Sequence, residues 1–474
     1  MTALNLSKTV AIIGAGTMGA GIAQVAAAAG HPVLLYDVSD GAAHAAIVKI
    51  GKGLERLVER GKIAREEAEA LTRRIIPAND LEALSEAALV VEAIVENLEV
   101  KKDLFAKLEE IVAEDAILAT NTSSISVTSI ARDLRLPARV AGLHFFNPAP
   151  VMKLVEIVSS QMTNPAIAET LFDTATTWGK IAVHARSTPG FIVNRVARPF
   201  YAEALRLYEE QVADPTTLDA LMKGAGGYRM GPFELMDLIG NDVNYAVSLS
   251  VFNSYYQDSR FRPSLLQLEL VNAGHLGRKS GRGFYDYSDG AERPAPRLET
   301  APAGTKPLDG INVGTDTEVE GVQIAMSDGR MASEVARELG RPVILHDYFA
   351  EGATMLGFTV SDGVPDSLVA RFVAKLSEDG LAAVRLPDWP GLVVLRTVSM
   401  LANEGFEASL HGVAKETDID LAMRYGVNHP QGPVSRAREI GLSRVLSVLD
   451  SLIRLTGDPR YRASFALRTL TQHD

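Results

Sequence analysis

Val10-Ala11-Ile12-Ile13-Gly14-Ala15-Gly16-Thr17-Met18-Gly19 runs four apolar residues into a G-x-G-x-x-G turn and then into the alanine-rich stretch that follows. An apolar run of four reads as a buried strand, and the residues after the turn read as the first turn of a helix. Gly14 permits the tight turn, Gly16 lets a ligand come close to the backbone, and Gly19 allows the helix to lie against the strand. A helix starting at Thr17 and Met18 offers unpaired N–H groups and partial positive charge, which suit a pyrophosphate. Gly14, Gly16, Thr17, Met18 and Gly19 are therefore candidate dinucleotide-binding residues, with a plain structural turn as the alternative.

Outward from this motif, residues 9–13, 33–37, 89–93, 117–120 and 140–144 read as strands. Residues 18–29, 40–60 and 99–113 read as helices. Such alternation predicts an α/β fold of Rossmann-like type, a mostly parallel sheet with helices on both faces. Asp37 closes the second strand, 23 residues after Gly14, where a carboxylate accepts hydrogen bonds from an adenosine ribose. Val38 and Ser39 supply no Arg for a 2′-phosphate, so NAD is expected over NADP. The alternative is Asp37 as an ordinary residue at a helix start.

Composition narrows the partners. The chain has 474 residues, 47% hydrophobic and 22% charged, with a formal net charge of −12 and no cysteine. That length exceeds one ordinary domain. The acidic balance argues against nucleic acid and anionic membranes, so an anionic ligand must meet a local basic patch. Without cysteine there is no disulfide, no Cys-ligated zinc and no thiol nucleophile; no metal site is assigned, and a cytoplasmic location is expected. The apolar segment 10–29 is broken by Gly14, Gly16, Gly19 and Gly21, which argues against a signal peptide, and no other run suggests a membrane span.

The texture changes near Thr188-Pro189-Gly190, after which residues 191–276 read almost entirely as helix. A repeat follows. Pro189-Gly190-Phe191-Ile192-Val193-Asn194-Arg195 recurs 201 positions later as Pro390-Gly391-Leu392-Val393-Val394-Leu395-Arg396. In the same register Glu203 maps to Glu404, Asp219 to Asp420, Gly231-Pro232 to Gly432-Pro433 and Gly240 to Gly441. The helical domain is thus expected twice. Residues 294–307 read as a linker, and 322–327, 342–346 and 357–361 as strands of a reduced α/β unit with no glycine-rich turn. The expected division is 1–187, 188–290, 291–388 and 389–474.

Chemistry concentrates in His144-Phe145-Phe146-Asn147-Pro148-Ala149-Pro150-Val151-Met152-Lys153-Leu154-Val155-Glu156. His144 and Glu156 are symmetric about Pro150. If the prolines turn the chain, the two become cross-strand neighbours. An imidazole held by a carboxylate suits removal of a hydroxyl proton near neutral pH. A buried structural histidine is the alternative of equal weight.

Gly142-Leu143-His144-Phe145-Phe146-Asn147-Pro148, Thr120-Asn121-Thr122-Ser123-Ser124 and Thr188-Pro189-Gly190-Phe191-Ile192-Val193-Asn194-Arg195 together resemble the L-3-hydroxyacyl-CoA dehydrogenase family. So do Gly231-Pro232-Phe233-Glu234 and Gly281-Arg282-Gly283-Phe284-Tyr285, and the resemblance runs over residues 6–288. With the second helical domain, the chain is similar to the bacterial members associated with phenylacetate breakdown. The resemblance implies NAD-dependent oxidation of a 3-hydroxyacyl-CoA, 3-hydroxybutyryl-CoA or 3-hydroxyadipyl-CoA, to the 3-oxoacyl-CoA. It implies His144 as general base, Glu156 as its orienting partner, and Ser123 and Asn194 around the substrate's 3-oxygen and the nicotinamide. Glu96, Lys101, Asn147 and Lys279 match further cofactor-contacting positions. By residue type, Ser123 could instead cap a helix, Asn194 satisfy a turn, and Lys101 and Lys279 be solvated charges.

The CoA phosphates need cations, which Lys49, Lys52, Arg56, Arg60 and Lys62 on the second helix could supply, Lys52 and Lys62 being the named candidates. A plain solvated face explains them equally well. In the second helical copy Asn194 becomes Leu395 and Phe233-Glu234 becomes Val434-Ser435, so a scaffold is expected there, packed as two subunits pair, rather than a second active site. The duplication leaves a homo-oligomer open. Arg195, Arg198 and Arg229 lie near the motifs, yet nothing in the sequence ties one to a substrate carboxylate. Two rivals stand beside this reading: a dehydrogenase of a non-CoA hydroxy or sugar acid, and a catalytically retired nucleotide-binding protein.

Overall fold

The computed structural model describes residues 3–472. It divides into two compact units, one reaching to Val193 and including His411–Val427, the other Asn194–Leu410 with the remainder from Asn428. The first unit carries an eight-stranded sheet: β1 Thr9–Ile13, β2 Val33–Tyr36, β3 Ile75–Pro77, β4 Ala87–Glu92, β5 Ile117–Thr120, β6 Val140–Phe145, β7 Leu154–Ser159 and β8 Ile181–Arg186. Its order is β3-β2-β1-β4-β5-β6-β7-β8. All neighbours are parallel except β6 and β7. The order reverses between β1 and β4, so a crevice opens at their carboxyl ends, where Ile13 runs into the glycine turn.

The α/β expectation therefore holds for this part, with elements the local pattern did not expose. Helix Arg65–Arg74 buries only Ala68 and Leu71, and six of its ten residues are charged, so its apolar period is too sparse to read. β3 has three residues, two of them exposed, and exists because β2 offers an edge. The core is continuous across the sheet: Val10, Ile12 and Leu89 meet Ile22 and Val25 of helix Thr17–Ala29, and Leu143 and Phe145 meet Leu171 and Trp178.

In the second unit a five-stranded sheet comprises β9 Thr317–Val319, β10 Val322–Met326, β11 Val343–His346, β12 Met355–Val360 and β13 Ala382–Arg385. Its order is β13-β12-β11-β10-β9. β10–β11 and β12–β13 are parallel and β11–β12 antiparallel, the pattern of β5–β6, β7–β8 and β6–β7. Strands β10–β13 thus repeat β5–β8, the far half of the first sheet, while β9 adds antiparallel to β10, and the strand that leads into the glycine turn has no counterpart in this sheet.

The rest of that unit is helical, and the repeat is visible in its contacts. Helix Arg198–Glu209 packs on helix Val394–Leu410. Arg195 Nε donates to Glu404 Oε1 at 2.5 Å, and Arg396 Nε donates to Glu203 Oε2 at 2.8 Å. Residue 396 lies 201 positions after 195, and 404 lies 201 after 203. Each copy gives an arginine to the other's glutamate, the exchange expected of a two-fold interface.

Candidate active site

The glycine turn meets the steric demands of its motif. A Cβ on Gly14, which has φ of 102°, would lie 2.5 Å from the Ala93 carbonyl oxygen, and one on Gly19 would lie 1.8 Å from the Gly14 carbonyl oxygen. A Cβ on Gly16 would meet nothing within 4 Å, so at this position the space is open. Helix Thr17–Ala29 starts there without a side-chain cap. Open room facing uncapped N–H groups fits a dinucleotide's pyrophosphate. Asp37 lies just past β2 rather than within it. Its carboxylate accepts from Ala15 N at 2.7 Å and Ser39 N at 2.9 Å, so it also braces the turn.

β6 and β7 pair antiparallel with His144 opposite Glu156. The bend between them includes Pro148 and Pro150, with a cis Asn147–Pro148 peptide. Asn147 lies in that bend, exposed. Lys180, to which the sequence did not point, clamps the bend by donating to the carbonyls of Ala149 at 2.6 Å and Met152 at 2.9 Å. Burial pulls its pKa below the usual lysine value. Only the fold brings Lys180 to these carbonyls.

His144 is 5% exposed and Glu156 fully buried. Nδ1 of His144 lies 2.6 Å from Oε2 of Glu156. The other carboxylate oxygen, Oε1, accepts from Ile192 N at 3.0 Å and Val193 N at 3.1 Å. These N–H groups are presented by a turn in which Gly190 and Phe191 both have positive φ, 75° and 45°. A non-glycine residue in that region is strained and persists where surrounding contacts hold it. With the carboxylate accepting on both oxygens, Nδ1 is the donor of the pair and Nε2 keeps its lone pair. Phe146 and Phe191 flank the imidazole, with centroids 4.6 and 5.7 Å away. A buried carboxylate holding one nitrogen of an imidazole is the arrangement of a proton acceptor.

Ser123 sits on a loop organised by Glu96. Oε1 of Glu96 accepts from Thr122 Oγ1 at 2.6 Å, Ser123 N at 2.9 Å, Ser124 N at 3.1 Å and Ser124 Oγ at 3.0 Å. Burial alone would raise the Glu96 pKa, but the Thr122 bond, the Lys101 charge and the bonds from Ser123 and Ser124 together hold it below its usual value. Glu96 is thus engaged by the loop that carries Ser123. Ser123 does not cap the next helix; Ser126 does, accepting from Ser129 N at 3.3 Å.

Lys101 is 1% exposed, with Nζ 2.6 Å from Glu92 Oε1 and 3.3 Å from Glu96 Oε2, so it is not the solvated charge that its residue type allowed. A buried ammonium is stable there because two carboxylates surround it. Lys279 is half exposed and paired with Asp242 at 2.6 Å. Asn194 follows Val193 in the short helix Val193–Val196 and is partly buried.

Lys49, Lys52, Arg56, Arg60 and Lys62 are all exposed, and none forms an ion pair among the described residues. Helix Ala42–Glu59 ends before Arg60 and Lys62, so only the first three lie on it, a correction to the placement of all five on the second helix. Among the described residues no cluster of His, Cys, Asp or Glu could hold a metal ion, and no helix is long and apolar enough to cross a membrane.

Residues 9–188 match the family model described as 3-hydroxyacyl-CoA dehydrogenase, NAD binding domain, and residues 190–287 and 391–474 match 3-hydroxyacyl-CoA dehydrogenase, C-terminal domain. Residues 324–390 match the 3-hydroxybutyryl-CoA dehydrogenase reduced Rossmann-fold domain. The chain is 47% identical to the 3-hydroxyadipyl-CoA dehydrogenase of Escherichia coli K12 over 97% of each chain. It is 40% identical to the 3-hydroxybutyryl-CoA dehydrogenase of Clostridioides difficile over 59% of this chain and 99% of that one. A crystal structure of 3-hydroxybutyryl-CoA dehydrogenase from Escherichia coli K12 superposes with a TM-score of 0.95 at 47% identity, covering 99% of both chains.

Proposed function

This chain belongs to the 3-hydroxyacyl-CoA dehydrogenase family, an NAD-dependent oxidoreductase acting on 3-hydroxyacyl-CoA, and from that premise we propose how its own residues carry the reaction and which acyl group it prefers. His144 Nε2 takes the proton of the substrate's 3-hydroxyl. Glu156 keeps Nδ1 protonated and stabilises the imidazolium that forms. The observation that carries this is the 2.6 Å contact between two buried side chains, His144 and Glu156. Ser123 and Asn194 hydrogen-bond around the 3-oxygen, each able to donate or accept. Gly14, Gly16, Thr17, Met18, Gly19 and Asp37 hold NAD, which when bound supplies the hydride acceptor. Lys52 and Lys62 meet the CoA phosphates, a role for which their exposure and, among the described residues, their lack of ion pairs speak.

The preferred substrate in this reading is 3-hydroxyadipyl-CoA, the substrate named for the curated relative that matches along 97% of the chain; 3-hydroxybutyryl-CoA, named for the solved structure that matches along 99% of it, is the competitor. The four-part division 1–187, 188–290, 291–388 and 389–474 and a cytoplasmic location belong to the same proposal. The test is NADH formation with 3-hydroxyadipyl-CoA and 3-hydroxybutyryl-CoA under matched conditions. A higher kcat/KM for the six-carbon dicarboxylic thioester is expected; a higher value for the four-carbon one would overturn the preference. NAD binding without turnover of either would overturn the reading itself.

A further inference from the structure

Glu92 is the last residue of β4, level with Ile13 of β1 on one side and with Thr120 of β5 on the other. The rest of its strand is apolar, and its own side chain is fully buried. Oε1 of Glu92 accepts from Lys101 Nζ at 2.6 Å and from Ile94 N at 2.8 Å, and Oε2 accepts from Thr120 Oγ1 at 2.7 Å. None of the roles assigned above uses this carboxylate.

Two of these partners lead to the same loop. Thr120 Oγ1 accepts from Thr122 N at 3.2 Å. Lys101 Nζ lies 3.3 Å from Glu96 Oε2, and Glu96 Oε1 gathers Thr122, Ser123 and Ser124. The bonds therefore close a ring, from Glu92 to Thr120, Thr122, Glu96, Lys101 and back to Glu92, with Ser123 carried on its rim. Hydrogen bonds linked in this way strengthen one another where water is excluded. A buried ion pair adds little stability beyond what apolar packing would give, so the pair of Glu92 and Lys101 is intelligible from the geometry it imposes.

We propose that Glu92 is a positioning residue for the reaction, its carboxylate setting the place of Ser123, and so of the substrate's 3-oxygen, through Thr120 and Lys101. The inference rests on the role given to Ser123 in the dehydrogenase reading above. A glutamine cannot stand in for this carboxylate. With its oxygen toward Lys101 and Ile94, its amide group faces a Thr120 oxygen that already accepts from Thr122, and the Thr120 hydroxyl loses its acceptor. Turned round, it sets an N–H against the Lys101 ammonium. One arm of the ring fails either way.

The experiment measures kcat and Tm of the full chain at saturating NAD, with Glu92→Gln, Ser123→Ala and the double variant, on 3-hydroxyadipyl-CoA and 3-hydroxybutyryl-CoA. Glu92→Gln lowers kcat by roughly 10- to 100-fold, the scale of a reacting group displaced by up to about 1 Å. In the Ser123→Ala background the same change lowers kcat by less than roughly twofold, because the group it positions is gone. A merely structural carboxylate would lower Tm and leave the kcat of the folded enzyme where it was. Reductions that multiply in the double variant, or a kcat in folded Glu92→Gln within roughly twofold of wild type, overturn the proposal. Should Glu92→Gln not fold, Thr120→Val cuts the hydroxyl arm without stranding a charge and goes through the same cycle under the same criteria; failure of both to fold makes the ring structural and overturns the proposal. If the wild type oxidises neither thioester, the dehydrogenase reading fails. If it oxidises one and Ser123→Ala matches it, Ser123 leaves that reading and this inference falls with it, while His144 and Glu156 stand.

Discussion

Asp347 stands in the second sheet where His144 stands in the first. His144 pairs with Glu156 across β6 and β7; in β11 and β12 the register steps through Leu345–Thr359 and His346–Phe358 to place Asp347 opposite Gly357, which lies 201 positions after Glu156. The Asp347 carboxylate accepts from the N–H groups of Val393 at 2.9 Å, Val394 at 2.8 Å and Leu395 at 2.8 Å. Ile192 and Val193, which bond Glu156, are the repeat counterparts of Val393 and Val394. Each copy therefore ties its first helix to a buried carboxylate, but in the first that carboxylate also holds an imidazole, whereas the ring of His346, beside Asp347, contacts the Asp347 backbone carbonyl instead. Asp347→Ala leaves those N–H groups without an acceptor and is expected to cost ~2–4 kcal/mol, read as a lower urea midpoint. An unchanged midpoint would remove the tie from the account.

Glu156 has two tasks and His144 one, so their variants separate. His144→Gln is expected to lower turnover by ~100-fold or more with NADH affinity, followed by fluorescence titration, nearly unchanged. Glu156→Gln is expected to lower turnover comparably and to reduce Tm as well, because an amide cannot accept on both sides as the carboxylate does. Equal Tm values for the two variants would contradict the second task.

The reciprocal pairs Arg195–Glu404 and Arg396–Glu203 are buried throughout. Glu404 serves both Arg195 and Arg260, so Glu404→Ala is expected to destabilise by ~3–5 kcal/mol, whereas Glu203→Ala leaves Arg396 with Glu210 at 2.9 Å and is expected to cost less. Chemical denaturation of the two variants checks this. Replacing both residues of one pair with apolar residues of similar volume should cost less than the single change, since no unpaired charge remains.

His429 is 7% exposed among Phe200, Tyr228 and Arg436, and burial, with the Arg436 charge, pushes its pKa down to about 3. A folded pKa below the unfolded value means that the unfolded chain takes up the proton first. Stability from this group is complete above about pH 6.5 and is lost as pH falls toward 3. Asp219 and Asp347, both pushed up to about 6 by burial, act in the opposite sense as pH falls from 6 toward 4, so variant and wild type are compared at each pH. His429→Leu should remove an acid penalty of about 2 kcal/mol at pH 5 relative to pH 7. Parallel stability curves for the two proteins between pH 7 and 5 would refute it.

Short-range pattern carried much of the architecture. Four apolar residues before Gly14 marked β1, the proline bend implied the pairing of His144 with Glu156, and the 201-residue register revealed the second helical copy. These are features of neighbouring residues or of literal repetition, and backbone geometry turns them into structure with few alternatives. Charge placement was not legible in the same way. Lys101 could be read as a solvated charge or a cofactor contact; its burial against Glu92 and Glu96 comes from packing and not from the local pattern. Lys180 reaches the bend from the residue before β8, and Arg195 finds Glu404 only from the second copy, 209 residues away. Whether a charged side chain is solvated or paired depends on what other segments bring within a few ångströms, and that is decided only when the chain packs.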